Sequence, residues 1–332
     1  MGKKVRWAIL GTGEIARQFA SDLSHAENAE LLAIGSRRQE SADRFGDTHS
    51  VPRRYPRYED AVADPDVDVV YIGTPHTQHA ANSLLCLDAG KPVLCEKPFA
   101  LNARQAERVI AKARERQLFC MEAMWTFCFP AMAQLETLIA QGALGAVRWC
   151  RAGFSFRAEY EADSRIYDPA LGGGSLLDVG IYPVALAQRI FGGEPTAIHT
   201  TVRKAPTGVD EEAAMLLQFA SGNQAMLSSS LRVNEPQQAL IVGEQGYVRF
   251  DDRFFEPRAF TLVTEEDEQH YAFDRNNLGY CYEADEVGRC LHAGLLESPR
   301  VPLENTLAVM RTLDTIREQW GLRYPDDEPT AQ

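Results

Sequence analysis

Lys97 stands between Glu96 and Pro98, directly after the apolar run Val93-Leu94-Cys95. If that run is a parallel strand, the ammonium lies at its carboxyl end, where ligands of open α/β sheets bind. A solvated surface charge is the other reading. Asp178 and Tyr182 lie four residues apart, after Gly172-Gly173-Gly174. In a helix from Gly174 to Phe191 they project on one face. That suits an acid/base site, and equally a surface acid or backbone cap beside a half-buried aromatic. Nearer the start, Gly11-Thr12-Gly13-Glu14-Ile15-Ala16 follows the apolar run Val5–Leu10 and opens a helical pattern. This is the dinucleotide fingerprint in its context: a glycine for the tight turn, a second for close approach of the pyrophosphate, and a small residue for helix–strand packing.

The run Leu31–Gly35 ends in Ser36-Arg37-Arg38, where an enzyme using NAD would place a carboxylate on the ribose. Two guanidinium groups and a hydroxyl suit a 2′-phosphate instead, so NADP is the expected cofactor, with NAD an alternative. One or both arginines serving only to solvate a loop is the competing reading. His76-x-x-His79 has metal-like spacing but no third ligand at a convincing distance, so no metal is expected.

The elements around these residues alternate in the first third of the chain. Strands at Val5–Leu10, Leu31–Gly35, Val67–Ile72, Val93–Cys95 and Leu118–Met121 are separated by helical patterns, among them Tyr58–Ala63, His79–Ala89 and Ala103–Arg116. That alternation predicts a doubly wound parallel sheet covered on both faces, a Rossmann fold over 1–121. The remainder, 122–332, changes grammar. Strands at Val147–Phe156, Ala197–Val202, Ala213–Phe219, Gln224–Leu231, Ala239–Val242, Tyr247–Phe250 and Phe260–Val263 are joined by turns such as Ser221-Gly222-Asn223. They predict an α+β domain on an open, largely antiparallel sheet. The helix Gly174–Phe191 and two closing helices, Tyr282–Gly294 and Leu303–Trp320, complete it.

Two domains agree with a length of 332 residues. With 34 basic against 47 acidic side chains the net charge is −13, which argues against a nucleic-acid partner. Seven cysteines with no CxxC pair predict reduced core thiols and a cytoplasmic protein. The apolar stretch Trp7–Leu10 is too short for a signal peptide, and no run approaches the ~20 apolar residues of a membrane span.

Glu96-Lys97-Pro98, with Gly73-Thr74-Pro75, His79, the glycine turn, the segment Gly172–Tyr182 and the closing Leu322-Arg323-Tyr324-Pro325, resembles the Gfo/Idh/MocA family of NAD(P)-dependent oxidoreductases over essentially the whole chain. Glu122-Ala123-Met124-Trp125-Thr126, and Tyr rather than His at 182, are most similar to its branch of dimeric trans-1,2-dihydrodiol and NADP-dependent D-xylose 1-dehydrogenases. Phe127 departs from that branch, which usually carries an arginine soon after the Trp-Thr pair, so the substrate pocket differs there.

The resemblance implies an active site in the cleft between the domains, a cis Lys97–Pro98 bond, and a homodimer or homotetramer. It also implies oxidation or reduction of a CH–OH group on a polyol, sugar or trans-dihydrodiol. Such chemistry needs a hydride acceptor, a base for the hydroxyl proton, and positive charge at the developing alkoxide. Tyr182 is the expected base, its phenolate favoured by a neighbouring ammonium such as Lys97, with Asp178 beside it. The cofactor is expected to lie against Gly11, Thr12, Gly13, Glu14, Ile15, Ser36, Arg37, Arg38, Thr74, Pro75, His79, Glu96 and Lys97, with His79 as structural support. Trp125, Tyr160, Arg165, Asp178 and Tyr182 are the expected substrate residues. Trp125 reads equally as packing, and Glu122 as a group that orients its neighbours. Two rival functions are a cofactor-sensing regulatory protein without turnover and an NAD-dependent glycoside hydrolase.

Overall fold

The computed structural model describes residues 4–327. The chain folds as two units, one reaching to Cys128 and completed by Arg275–Thr306, the other Phe129–Asp274 with the chain from Leu307 onward.

In the first unit β1 (Val5–Leu10), α1 (Glu14–Asp22), β2 (Ala29–Gly35), α2 (Gln39–His49), β3 (Arg53–Tyr55), α3 (Tyr58–Ala63), β4 (Val69–Ile72), α4 (His79–Asp88), β5 (Val93–Glu96), α5 (Ala103–Arg116) and β6 (Cys120–Ala123) alternate as expected. The sheet order is β3-β2-β1-β4-β5-β6 with every pair parallel, the doubly wound Rossmann arrangement. Strands β4, β5 and β6 are buried throughout; β4 reads as an unbroken apolar run, while β5 and β6 each carry one buried glutamate, Glu96 and Glu122. On one face Trp7 packs on Phe19, whose ring stacks on Tyr71 at 3.7 Å. Helix α5 shows how local signals set an element. The Asn102 side chain accepts from the Gln105 N–H at its start, Gln117 closes it in the left-handed conformation, and Ala106, Val109, Ile110 and Ala113 form the buried stripe.

The second unit contains α6 (Pro130–Ala140), β7 (Val147–Ser155), α7 (Ile181–Phe191), β8 (Ala197–Lys204), β9 (Asp210–Gln218), β10 (Gln224–Ser230), β11 (Ala239–Gly243), β12 (Gly246–Phe250), β13 (Ala259–Thr264) and β14 (Glu268–Ala272). Its sheet runs β14-β13-β12-β11-β7-β10-β9-β8. All pairs are antiparallel except β7 with β10: after α7 the chain re-enters the sheet at its edge as β8 and comes back through β9 to lay β10 beside β7. Along β9, Ala213, Met215 and Leu217 are buried while Glu212, Ala214 and Leu216 face outward. Helix α7 packs on β7 and β10.

Two expectations change. The segment Arg275–Thr306, with α8 (Tyr280–His292) and the start of α9 (Leu303–Trp320), returns to the first unit, whereas the sequence reading kept everything after 121 together. The reason is visible at α8, whose N-terminus is held by a side chain of α1. The buried Asp22 carboxylate accepts from the N–H groups of Leu278, Gly279 and Cys281 at 2.8–2.9 Å. Secondly, Pro169–Phe191 is long and apolar enough, by length and composition only, to cross a membrane, contrary to the reading that no run approaches a span. That stretch is mostly buried, so its apolarity serves the core of the second unit.

Candidate active site

The first unit presents its fingerprint at the end of β1. Gly11 has φ +104°, and a Cβ there would stand 2.6 Å from the Gly73 carbonyl oxygen, so only glycine fits the turn. Gly13 has nothing within 4 Å of where a Cβ would be, and no side chain caps α1. The uncapped N–H groups of Glu14 and Ile15, with Thr12 ahead of them, therefore face an open cradle of the kind that takes a pyrophosphate. At the end of β2, Ser36 is buried while Arg37 and Arg38 are exposed. Among the described residues no ion pair or hydrogen bond engages either guanidinium group.

The ends of β4 and β5 are tied together by one imidazole. His79, 1% exposed, reaches the Thr74 carbonyl with Nε2 at 2.8 Å and the Pro98 carbonyl with Nδ1 at 2.7 Å. Asn82 donates to the Thr74 hydroxyl, and Pro75 precedes the short helical turn that leads into α4. His79 thus braces the backbone that follows the two strands. The Lys97–Pro98 bond is cis. Lys97 is half-buried, and the preceding Glu96 is held by the Tyr71 hydroxyl, which donates to Oε1 at 2.6 Å, and by the Lys97 N–H on Oε2. Behind this loop Glu122 is fully enclosed. Its carboxyl accepts from the Phe99 N–H at 3.0 Å and the Thr306 hydroxyl at 2.9 Å. Burial pushes its pKa up to about 7 against the pull of those two bonds, with Glu96 raising it further and Lys97 opposing. Trp125 is buried and stacks on Tyr280 at 4.3 Å.

The second unit presents Asp178 and Tyr182, and their helix is not the single α-helix expected. Leu176–Gly180 forms a π-turn, and the α-helix begins only at Ile181. Such turns re-aim side chains. Asp178, 6% exposed, meets the Arg165 guanidinium at 2.8 Å on Oδ1 and 3.4 Å on Oδ2. Tyr182 is 8% exposed and lies against Phe154 and Phe255, ring centroids 5.4 and 5.5 Å away. Those two phenylalanines stack on each other at 4.0 Å. Tyr160 is not joined to this group by a hydrogen bond or ring contact. It is exposed and packs edge-on against Tyr167. Phe154 and Phe255 escaped the sequence reading. Phe154 lies on the buried face of β7 and is visible only as one more core residue, and Phe255 sits in a loop with no periodic signal.

Residues 5–124 match the oxidoreductase family with an NAD-binding Rossmann fold, and residues 132–249 match the GFO/IDH/MocA C-terminal domain. Trans-1,2-dihydrobenzene-1,2-diol dehydrogenase from Oryctolagus cuniculus is 38% identical, over 96% of this chain and 100% of its own. The chain belongs to the GFO/IDH/MocA family. The enzyme of the same name from Homo sapiens is 36% identical over 98% of this chain and 99% of its own. Among solved structures, aldose-aldose oxidoreductase from Caulobacter crescentus, complexed with glycerol, superposes with a TM-score of 0.88 at 26% identity, covering 96% of this chain and 99% of its own. A 3-ketoreductase from Actinomadura kijaniata, in complex with NADP and TDP-benzene, superposes with a TM-score of 0.84 at 26% identity, covering 95% and 98%. The protein is an NAD(P)-dependent oxidoreductase of this family, and the open glycine cradle after β1 fits the dinucleotide that the family binds.

Proposed function

We propose that the protein transfers hydride between NADP and a CH–OH group of a cyclic substrate, a sugar or a trans-dihydrodiol, with Tyr182 as the general acid/base. The observation that carries this reading is the setting of Tyr182, whose ring lies in an aromatic wall with Phe154 and Phe255 on the helix that also carries Asp178. Such a wall offers a ring-shaped substrate an apolar face, while the phenol supplies the proton-transferring group. When bound, the nicotinamide accepts or returns the hydride. Lys97 provides the positive charge for the substrate oxygen, and Asp178, with Arg165, orients the substrate hydroxyls. Arg37 and Arg38, exposed and uncommitted, favour NADP over NAD through paired contacts with a 2′-phosphate. The names of the relatives, a dihydrodiol dehydrogenase and sugar oxidoreductases, support the substrate class.

The further reading is of a cytoplasmic homodimer or homotetramer. It is supported by seven cysteines that are all free and buried, and by apolar residues exposed on the outer face of the second sheet. A spectrophotometric panel of pentoses, hexoses, polyols and trans-dihydrodiols with NADP and with NAD tests the function. Turnover of a cyclic alcohol with NADP is expected. Binding of NADP without turnover of any substrate would support a cofactor sensor instead, and release of alcohol from a nitrophenyl glycoside without net NADPH would support a hydrolase.

A further inference from the structure

The closing segment of the chain reaches the start of the π-turn that carries Asp178. Tyr324, 1% exposed, donates its hydroxyl to the Gly173 carbonyl at 2.5 Å. Its own placement is fixed by a buried ion pair. Arg317, 4% exposed, meets Asp327 at 2.6 Å and Asp314 at 2.6 Å. The same guanidinium lies 4.9 Å over the Tyr324 ring, and Asp327 accepts from the Tyr324 N–H.

A second hold comes from β9. Asp210 is fully buried, and its Oδ2 accepts from the Leu176 N–H at 2.6 Å and the Ser175 hydroxyl at 2.8 Å. The Ser175 hydroxyl also lies 2.9 Å from that of Ser229 on β10. Between the two holds stands Gly174 at φ +121°, where a Cβ would run into Asp210 Oδ1 and the Tyr324 hydroxyl. The Gly174 N–H in turn donates to the Ile166 carbonyl at 2.9 Å, beside Arg165. One clamp therefore sets both partners of the Arg165–Asp178 pair.

We propose that Asp210 and Tyr324 are positioning residues for the reaction: together they fix Gly173–Leu176, and through it the directions in which Asp178 and Tyr182 project. A bare helix core would not require a buried carboxylate. The Leu176 N–H is among the first donors of the helical segment and has no carbonyl four residues back within the helix, so a side chain must satisfy it. Burial pushes the Asp210 pKa up to about 6, opposed by the Ser175 and Leu176 bonds and by Arg317, and Tyr324 is the other titratable group beside it. A carboxyl kept in so costly a place answers to geometry rather than to stability.

This inference rests on Tyr182 being the acid/base, so the experiment has two arms. In the intact enzyme Tyr324→Phe, which removes one oxygen, and Asp210→Ala are compared with Asp210→Asn. Expected is a kcat loss of about 10- to 100-fold in the first two, the scale of a small misplacement of reacting groups, with NADP affinity unchanged. Asp210→Asn recovers part of the loss, because its amide oxygen still accepts from the Leu176 N–H. Amide hydrogen exchange across 174–184 should rise in the same two variants and stay unchanged across the glycine cradle. Unchanged kcat, or unchanged exchange at 174–184, in Tyr324→Phe overturns the proposal. If Asp210→Ala does not fold, Tyr324→Phe alone carries the test. Should Tyr182→Phe retain turnover, the functional reading fails, while the exchange arm still decides whether the clamp exists.

Discussion

Arg165 and Asp178, thirteen residues apart in the chain, form a two-point ion pair in which the carboxylate is nearly buried and the guanidinium half-exposed. The asymmetry matters. A buried carboxylate that loses its partner keeps its desolvation cost, whereas the exposed arginine loses little. Arg165→Ala should therefore act through Asp178, whose carboxylate loses a charge-assisted contact that holds it in place. A fall in kcat/KM of about tenfold or more is expected, from a charge-assisted bond of ~1.5–3 kcal/mol. A kcat/KM identical to wild type would show that the pair is not part of the working site.

Cofactor choice is tested at β2. Among the described residues Arg37 and Arg38 engage no carboxylate, so their charge is available to a phosphate. Arg37→Ala should reduce the NADP-over-NAD preference about tenfold or more, again on a bond of ~1.5–3 kcal/mol. Titration of both cofactors by fluorescence reads it directly. Equal affinity for the two in the unaltered protein would remove the assignment.

Glu122 makes stability depend on pH with a definite sign. Its pKa in the folded protein, about 7, lies above the ordinary 4.5, so the native state holds a proton that the unfolded chain releases. Stability is then greatest below the ordinary value and falls as pH rises through the window up to about 7, by roughly 2–4 kcal/mol in all. Asp210, raised in the same direction, adds to the slope. Glu122→Gln keeps an acceptor for the Phe99 N–H and has no proton to lose, so its denaturation midpoint should vary less between about pH 5 and 8. A variant curve as steep as that of wild type would place the proton elsewhere.

Much of this site was legible because its chemistry is local. The glycine turn, Ser36-Arg37-Arg38 and Lys97 at a strand end each announce themselves within a few residues, since backbone conformation and charge are written at the position itself. The spacing of Asp178 and Tyr182 was legible, but the π-turn between Leu176 and Gly180 was not, because the carboxylate that accepts from its Leu176 N–H is that of Asp210, more than thirty residues away. The same holds for Phe255 and for the return of α8 to the first unit, which the Asp22 carboxylate secures across 250 residues and more. Strands β3 and β14 were missed for a different reason. Both lie at sheet edges and are short and polar, Arg-Arg-Tyr and Glu-Gln-His-Tyr-Ala, so neither carries the apolar alternation that marks a half-buried strand.

The second sheet carries the assembly prediction. Leu216 on β9 and Met226 on β10 face each other in register, 39% and 48% exposed, on the side away from Leu217 and Ala225. Apolar surface of this kind is usually covered by another subunit. Light scattering should give a multiple of the 36.9 kDa chain mass, and Met226→Asp should shift the population toward monomer. A particle of one chain mass at all working concentrations would end the reading.

The chemical prediction concerns Tyr182. Its ring is fixed by Phe154 and Phe255, so Tyr182→Phe removes the hydroxyl and leaves the wall standing. General acid–base catalysis contributes ~10²–10⁴ in rate, and kcat should fall by that order while NADP binds as before. The pH dependence of oxidation should also change, since oxidation through a general base requires that base in its deprotonated form. Lys97→Met should cost at least as much, because a developing alkoxide then lacks its cation, and transition-state charge is where such a group acts most strongly. The two variants differ in a telling way. Tyr182→Phe removes the proposed proton-transfer group and leaves the charge in place, whereas Lys97→Met removes the charge and leaves the hydroxyl. Near-normal turnover by Tyr182→Phe with the best substrate would move the proton transfer to another group, and Asp178, held by Arg165, would be the next to change.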